Sequence, residues 1–420
     1  MKDEQGAGDT PESELAFEAA ADSSPISSSV PQASAFLPPG RPTWAEINLD
    51  HLAHNLRLVK QAVGAEVAVM PAVKADAYGH GAVACALALE RAGADWFGVA
   101  LPEEGVALRE AGVTRPVLCL GGFWEGQEAG LLAAQLTPVL YRLDLLERLD
   151  AEARRAGHTA AYHLKVDTGM GRLGVPYMEL ARFLDRAAGF AHLQLDGVMT
   201  HFASADQADK DEFTRLQMAR FESALAEIHA RGHQPAWIHE ANSAASLAYP
   251  QARGNLVRPG GVLYGLWRDV VNPQTPRLDW RAVLALRTRI IHLKTVARGT
   301  PLGYGGTFTT ERKSLIATLA IGYEDGLPRA LSNRGRVLVR GQFAPIVGRI
   351  SMDLTLIDVT DINGAALNDE VTIIGQQGAQ EISAEEVAKQ AGTISYEITC
   401  RLSERVPRVG VGGRGSGAGA

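Results

Sequence analysis

From residue 44 to residue 280, the chain alternates short apolar runs with amphipathic stretches. The first amphipathic stretch, Leu49–Val63, places Leu52, Leu56 and Val59 on one helical face, which predicts an opening helix. Eight apolar runs follow, each short enough to be a buried strand. These predicted strands are Val67–Val73, Trp96–Leu101, Pro116–Leu120, Leu136–Tyr141, Ala161–Val166, Leu193–Thr200, Ala236–His239 and Asn255–Leu263. The segments between them predict helices, for example Gly81–Ala92, Leu143–Ala156, Met178–Ala188 and Lys210–Ala230.

Eight strands alternating with helices predict an α/β fold, a (β/α)8 barrel of the TIM type, whose usual size is about 250 residues. A doubly wound open sheet is the alternative, and it accounts less well for eight strands. The rest of the chain predicts a mostly β domain. Its predicted strands are Val283–Leu293, Ser314–Ile321, Arg336–Val339, Ile346–Val359 and Val371–Ile374. One helix, Ser383–Ala391, begins with a capping-box pattern of Ser383 and Glu386.

The predicted domain limits follow from changes in composition. We place the barrel at residues 44–278 and the β domain at 279–409, because two prolines interrupt the pattern at the join. Residues 1–43 are acidic and then rich in Ser and Pro, which predicts a disordered tail. They lack the positive start and apolar core of a secretory signal. Residues 410–420 are Gly-rich and predict a second tail.

Composition narrows the functional classes. Hydrophobic residues make up 46%, enough for a large core, and the net charge of −7 leaves no electrostatic footprint for nucleic acid. No apolar run approaches the ~18 residues of a membrane-spanning helix. The three cysteines form no CxxC pair, which fits a reducing compartment. We therefore expect a cytoplasmic protein without nucleic-acid or membrane partners.

Lys74 is the first candidate for chemistry. In a (β/α)8 barrel, catalytic groups lie where strands end, and Lys74 directly follows the first predicted strand, with Tyr78 four residues later. Burial lowers the pKa of a lysine, which is how a lysine becomes able to form a Schiff base. An exposed loop lysine is the commoner case for an isolated residue, but this position and Tyr78 favour a catalytic role.

The last two predicted strands lead into a second candidate region. Ser243 follows the seventh strand, and Arg258 precedes the pair Gly260–Gly261 in the eighth. Many barrels bind a phosphate here through backbone N–H groups, and glycine permits a close approach. Two ordinary turns are the alternative. Arg258 would face an acceptor in the barrel mouth or, as arginines more commonly do, form a surface ion pair.

The histidines give a weaker signal. His201 and His239 end apolar strands, where a histidine is more often a hydrogen-bonded core residue than a catalyst. A role in the site stays open for His201 and is less favoured for His239. The sequence contains no HExxH motif and no Cys/His cluster with ligand spacing, so we expect no metal site.

Nine segments follow one another along the chain: AVKADAYGHG, VDTGMGRLG, THFASAD, ANSAA, VRPGG, GYGGTF, GYEDG, GRISMD and SYEITCRLSERVPR. In this order they resemble the alanine racemase family, which uses pyridoxal 5′-phosphate (PLP). The family's plan, a barrel followed by a β domain, agrees with the fold predicted from the pattern. By resemblance, Lys74 would hold PLP covalently, and Arg258 would face its pyridine nitrogen with help from His201. The residues implied for the phosphate are Tyr78, Ser243, Gly260, Gly261 and Tyr396.

The resemblance also implies a head-to-tail homodimer with shared active sites. Tyr304 would be a second base supplied by the partner subunit, and Arg172 would bind the substrate carboxylate. Met352 and Tyr323 would line the entrance. Lys165 matches a lysine that is carbamylated in some family members, where the carbamate accepts hydrogen bonds from the arginine that Arg172 matches.

Three positions depart from the family pattern. Ser351 stands where the family often has Cys, Glu324 where it often has Ala, and Gly261 where it often has a β-branched residue. A phosphate contact through a backbone N–H survives the change at Gly261. None of the three alters a proposed base.

The function implied is racemisation of alanine by two bases, which would supply D-alanine for peptidoglycan. PLP would stabilise the carbanion formed when the α-proton leaves. Lys74 would take the proton from the D-enantiomer and Tyr304 from the L-enantiomer. The alternatives are a PLP-dependent decarboxylase, a non-catalytic PLP carrier and a metal-free barrel hydrolase. They fit less well, because they lack this Lys–Tyr pair, lack a β domain, or need a carboxylate pair after the strands.

Overall fold

A computed structural model describes residues 40–275 and 277–412. Most of both predicted tails, residues 1–39 and 413–420, therefore lies outside the described residues. Backbone contacts separate Met1–Arg41 from one compact unit, Pro42–Ala420. All the elements named below belong to that compact unit.

The first part of the unit alternates strands with helices. The strands are β1 (Thr43–Asn48), β2 (Ala68–Val69), β3 (Phe97–Val99), β4 (Val117–Cys119), β5 (Leu136–Leu140), β6 (Ala160–Asp167), β7 (Val175–Pro176), β8 (Leu193–Met199), β9 (Trp237–His239) and β10 (Leu256–Val257). The helices are α1 (Leu49–Val63), α2 (Lys74–Gly79), α3 (Ala82–Arg91), α4 (Pro102–Glu110), α5 (Glu128–Ala133), α6 (Leu143–Ala156), α7 (Leu180–Ala187), α8 (Asp211–Ala230) and α9 (Ser243–Ala248). The opening helix is the one predicted, and α2 is a single unusual turn.

Eight of these strands close into a barrel. Strands β3, β4, β5, β6, β8 and β9 pair in that order, all parallel, and β10 pairs in parallel with β2. The Val73 N–H donates to the Gly98 carbonyl at 2.8 Å, which joins the β2 segment to β3. The Asn255 N–H donates to the Ile238 carbonyl at 3.1 Å, which joins β10 to β9. The predicted (β/α)8 barrel is confirmed, and the open sheet is wrong because the ring closes.

The remainder of the unit is mostly β. The strands are β11 (Leu284–Val296), β12 (Pro301–Leu302), β13 (Phe308–Thr309), β14 (Ser314–Leu319), β15 (Arg336–Val339), β16 (Gln342–Pro345), β17 (Thr355–Asp358), β18 (Glu370–Gln377), β19 (Gln380–Ile382) and β20 (Arg408–Val411). Two helices, α10 (Ala384–Ala391) and α11 (Ser395–Cys400), complete it. As the capping pattern predicts, Ser383 Oγ accepts from the Glu386 N–H, at 3.2 Å. None of the described helices is long and apolar enough to cross a bilayer.

The first strand belongs to the C-terminal sheet. β1 pairs antiparallel with β11 and parallel with β20. It begins at Thr43, inside the predicted N-terminal tail, and β20 continues to Val411, two residues into the predicted Gly-rich tail. Both ends of the unit are thus fixed in one sheet, and the domain limits drawn from the sequence stay predictions.

Several predicted strands are too long; the one predicted at Val67–Val73, for example, spans only Ala68–Val69. Two other differences bear on the site. Residues 347–354 form a loop instead of continuing a strand to Val359, because Gly348, at φ 76°, turns the chain. The eighth barrel strand ends at Val257, because the Gly260 backbone leaves the extended region and Gly261–Tyr264 coil into a 3-10 turn. Both departures create loops that carry predicted site residues.

Candidate active site

Lys74 begins a strained turn. The next four residues, Ala75–Tyr78, have φ between 52° and 56°, which is left-handed backbone. For L-residues this conformation costs roughly 1–2 kcal/mol each, and such strain collects at functional sites where surrounding contacts hold it. Here the Ala75 N–H donates to Glu104 Oε1 at 2.7 Å. The turn fixes the direction in which Lys74 and Tyr78 leave the barrel strand.

Two residues that the sequence did not single out hold this turn. Glu104 also accepts from the Ala100 N–H at 2.6 Å, so it ties two loops together. Arg408 donates from Nε to the Gly79 carbonyl at 3.1 Å. The sequence pattern did not indicate this role for either residue: an acid in the first turn of a helix, like Glu104, is ordinary. Arg408 ends the segment SYEITCRLSERVPR, but it lies more than three hundred positions from Gly79.

Lys74 lies in the environment that a nucleophilic lysine needs. Burial lowers the pKa of Lys74, and the nearby positive charge of Arg172 lowers it further. Since a neutral amine is the reactive form, both effects favour attack on a carbonyl and removal of a proton.

The residues predicted for a phosphate meet in one cradle. Ser243 Oγ accepts from the Gly260 N–H at 2.8 Å. A Cβ at Gly260 would collide with Tyr78 Oη, and a Cβ at Gly261 would lie 2.6 Å from Tyr396 Oη. The Tyr78 and Tyr396 rings pack with centroids 5.4 Å apart. Burial raises the pKa of both phenols, which therefore stay protonated and able to donate.

Arg258 is buried rather than paired at the surface. It is 5% exposed, and its two terminal nitrogens donate to the carbonyls of Thr200, His239 and Glu240 at 2.7–3.0 Å. Burial lowers its pKa to about 10, so the guanidinium stays charged near neutrality. Arg258 Nη2 also lies 3.3 Å from His201 Nδ1. A fixed cation therefore faces the barrel mouth, and the surface alternative is wrong.

Lys165 lies among these positive groups. It is 5% exposed, and burial together with the charges of Arg258 and Arg172 lowers its pKa to about 8. Burial and Arg258 hold the pKa of His201 well below its usual range, so its ring is neutral. The structure thus brings Lys74, Lys165 and the two arginines into one electropositive mouth.

Three predicted residues lie elsewhere, on an exposed face of the C-terminal part. Tyr304 is 71% exposed, Met352 50% and Tyr323 39%. The Tyr323 N–H donates to the Ser351 carbonyl at 3.0 Å, which brings the Tyr323 turn beside the Met352 loop. Within residues 40–275 and 277–412, no hydrogen bond or ion pair joins this face to Lys74.

Comparison with known proteins matches both halves of the chain. The family model for the alanine racemase N-terminal domain matches residues 47–267, and that for the C-terminal domain matches residues 283–410. The chain belongs to the alanine racemase family. The alanine racemase of Halothermothrix orenii is 45% identical over 88% of this chain and 96% of its own length. That of Syntrophobacter fumaroxidans is 45% identical over 86% and 95%.

Solved alanine racemases share the fold. The enzyme from Bacillus anthracis with bound L-Ala-P has a TM-score of 0.83 at 36% identity and covers 89% of this chain and 96% of its own. The enzyme from Bartonella henselae with covalently bound pyridoxal phosphate has a TM-score of 0.79 at 30% identity and covers 89% and 100%. Membership of the family, and the isomerase class that it carries, rests on these matches.

The cradle of this racemase fits the family's cofactor. Phosphate needs donors and a backbone free of side chains, and Gly260, Gly261 and the two protonated phenols provide both. Lys74 supplies the amine for a covalent link. Arg258, which can only donate, would supply a donor for the ring nitrogen.

Proposed function

We propose that this protein is a PLP-dependent racemase that interconverts L-alanine and D-alanine. The observation that carries the proposal is Lys74, whose pKa is lowered and which follows a barrel strand on a strained turn ending in Tyr78, beside the Gly260–Gly261 cradle. The names of relatives at 45% identity support alanine as the substrate.

The cofactor and the side chains of the protein have different roles in the reaction. When bound, PLP withdraws electrons from the α-carbon and makes its proton removable. Lys74 holds the cofactor and then, as a free amine, moves the proton on one face of the substrate, that of the D-enantiomer. Tyr304 moves it on the opposite face, that of the L-enantiomer.

Arg258 and Arg172 set the electrostatics of the reaction. Arg258 would donate to the pyridine nitrogen of the bound cofactor and, being charged, would disfavour a second positive charge there, so that this nitrogen stays unprotonated. His201 accepts from Arg258 and steadies it. Arg172 is exposed at the mouth beside Lys74, where it binds the substrate carboxylate.

The exposed position of Tyr304 supports a head-to-tail homodimer. A catalytic base acts selectively only in a site from which water is excluded, yet Tyr304 is 71% exposed in a single chain. It borders a cavity of about 400 Å³ together with Arg349, Ser351 and Leu354. In a symmetric dimer this face meets the barrel mouth of the partner, and Tyr323 and Met352 then narrow the entrance for a small side chain.

The biological role follows from the product. We infer that the enzyme works in the cytoplasm and supplies D-alanine for peptidoglycan. The three unpaired cysteines support a reducing compartment, since Cys85 and Cys119 are buried as free thiols.

The purified protein is expected to convert L-alanine to an equal mixture of both enantiomers. Chiral chromatography of the product, with the protein saturated in PLP, measures this directly. Release of carbon dioxide without D-alanine would instead identify the decarboxylase alternative.

Tyr78→Phe is expected to weaken PLP binding about tenfold, because one hydrogen bond to a charged phosphate is lost. The ring remains packed against Tyr264 and Tyr396, so the fold is kept. Titration of cofactor-free protein with PLP gives the dissociation constant. Tyr141→Phe removes a hydroxyl that donates to the Gly121 carbonyl and is the matched control; equal affinities in the two variants would contradict the assignment of Tyr78.

Lys165 is expected to carry a carbamate. Its lowered pKa of about 8 leaves part of the amine neutral near pH 7, and that amine adds carbon dioxide and releases a proton. The product is an anion, which the positive charges of Arg172 and Arg258 would stabilise. Protein exchanged into ¹³C-bicarbonate should show a carbamate carbon signal that is lost in Lys165→Ala but kept in Lys313→Ala.

Lys165→Ala also tests what the carbamate does in the reaction. Without the anion, Arg172 loses the partner that orients it, so KM for alanine is expected to rise about tenfold in Lys165→Ala while kcat changes less. An unchanged KM would refute this function for the carbamate.

A further inference from the structure

Behind Arg258 runs a line of three polar side chains, two buried histidines and a partly exposed aspartate, that the reaction itself does not use. Arg258 Nη1 lies 3.0 Å from His239 Nδ1, and His239 Nε2 lies 2.8 Å from His163 Nδ1. His163 Nε2 then faces Asp196 Oδ2 at 3.8 Å. Both histidines are 0% exposed. The line leads from the residue after β10 through β9 and β6 to β8.

The order of protons along this line is fixed by elementary chemistry. An arginine can only donate, so His239 Nδ1 must accept. A neutral ring then carries its proton on Nε2, which donates to His163 Nδ1. By the same step His163 carries its proton on Nε2, directed at Asp196. Burial lowers the pKa of His163, and that of His239 lies well below its usual range, so both rings are neutral.

We propose that His239, His163 and Asp196 are positioning residues that hold the Arg258 guanidinium against the pyridine nitrogen of the cofactor. This inference rests on the proposed function. Asp196 orients His163, His163 fixes the tautomer of His239, and His239 accepts from Nη1. Nη1 and Nη2 are then both held by protein acceptors, which leaves Nε–H as the donor for the cofactor.

The packing around His163 holds its ring in one position. A Cβ on Gly197, the neighbour of Asp196 in β8, would lie 2.5 Å from the His163 ring. The Trp96 ring packs on it at 5.5 Å between centroids. Among the described side chains, His163 Nε2 has no hydrogen-bond partner within normal distance, so the carboxylate of Asp196 is the group that compensates its burial. An apolar residue would fill this space without that cost, which points to a purpose beyond packing.

The test compares variants that cut the line at different points. His163→Leu removes both links. His163→Asn keeps an acceptor at the position of Nδ1 and loses only the link to Asp196. Asp196→Asn weakens the same link from the aspartate side. His229→Asn, at an exposed position on α8, is the control.

Two measurements on the full chain separate positioning from packing. First, ¹⁵N shifts of the histidine rings in cofactor-free protein should show both His239 and His163 neutral with the proton on Nε2. Second, PLP affinity should fall about tenfold in His163→Leu and less in His163→Asn. The absorption maximum of the bound cofactor should move in the same order.

The outcomes are distinct. A proton on Nδ1 of His239, or unchanged PLP affinity and absorption in His163→Leu despite a lower Tm, would overturn the positioning role and leave a structural one. If His163→Leu does not fold, Asp196→Asn and His163→Asn carry the same comparison. If the unmodified protein binds no PLP, the proposed function fails first, and the ¹⁵N shifts still decide the proton order.

Discussion

Lys74→Ala is expected to give a colourless protein whose kcat falls by at least about 10⁴-fold in both directions. Two functions are lost together: the covalent link to the cofactor, and the base for one face of the substrate. The left-handed turn is held by Glu104 and by the backbone rather than by the lysine side chain, so folding should persist. The visible spectrum and the rate of D-alanine formation, each measured with added PLP, give the two readouts.

Lys313→Ala is the matched control, because Lys313 is exposed on the C-terminal part. It should keep both colour and rate. Borohydride reduction of the unmodified protein, followed by peptide mapping, locates the modified lysine. Covalent label on Lys165 instead of Lys74 would contradict the assignment, and this is a real alternative because burial lowers the pKa of both amines.

The barrel was predictable because its signal is local. Each buried strand is a short apolar run, and the helices between them have one apolar face, so α1 and α6 have the bounds predicted from the sequence. The barrel mouth was predictable in the same way, since residues that follow parallel strands collect at one end. That rule is what selected Lys74, Ser243 and Arg258 as candidates.

Other features depend on contacts between distant residues, and the pattern does not encode them. Four left-handed residues in a row follow no local preference, because alanine and tyrosine disfavour that backbone; Glu104 and Arg408 hold them from elsewhere. The strand β1 was missed since its partners lie about 240 and 360 positions away. The line from Arg258 to Asp196 likewise joins four strands.

Tyr304→Phe is expected to lower kcat about 10³-fold, within the range for loss of one general base. The loss should be one-sided at the proton-transfer step. Exchange of the α-deuterium of D-alanine with solvent, which needs only Lys74, should continue, whereas exchange from L-alanine should stop. Proton NMR of each enantiomer in turn follows both exchanges. Tyr177→Phe, which keeps the ring that Arg220 covers, is the control.

The exposure of Tyr304 makes a sharper experiment possible, because it decides whether the base acts across subunits. Subunits carrying only Lys74→Ala and subunits carrying only Tyr304→Phe are each inactive. In a mixed head-to-tail dimer, however, one site combines the unmodified Lys74 of one chain with the unmodified Tyr304 of the other. Random mixing should therefore restore about a quarter of the unmodified activity. If both residues acted within one chain, every site would contain one substitution and mixing would restore nothing. Equal loss of exchange from both enantiomers in Tyr304→Phe would instead show that Tyr304 serves the structure of the site and not one face of the substrate.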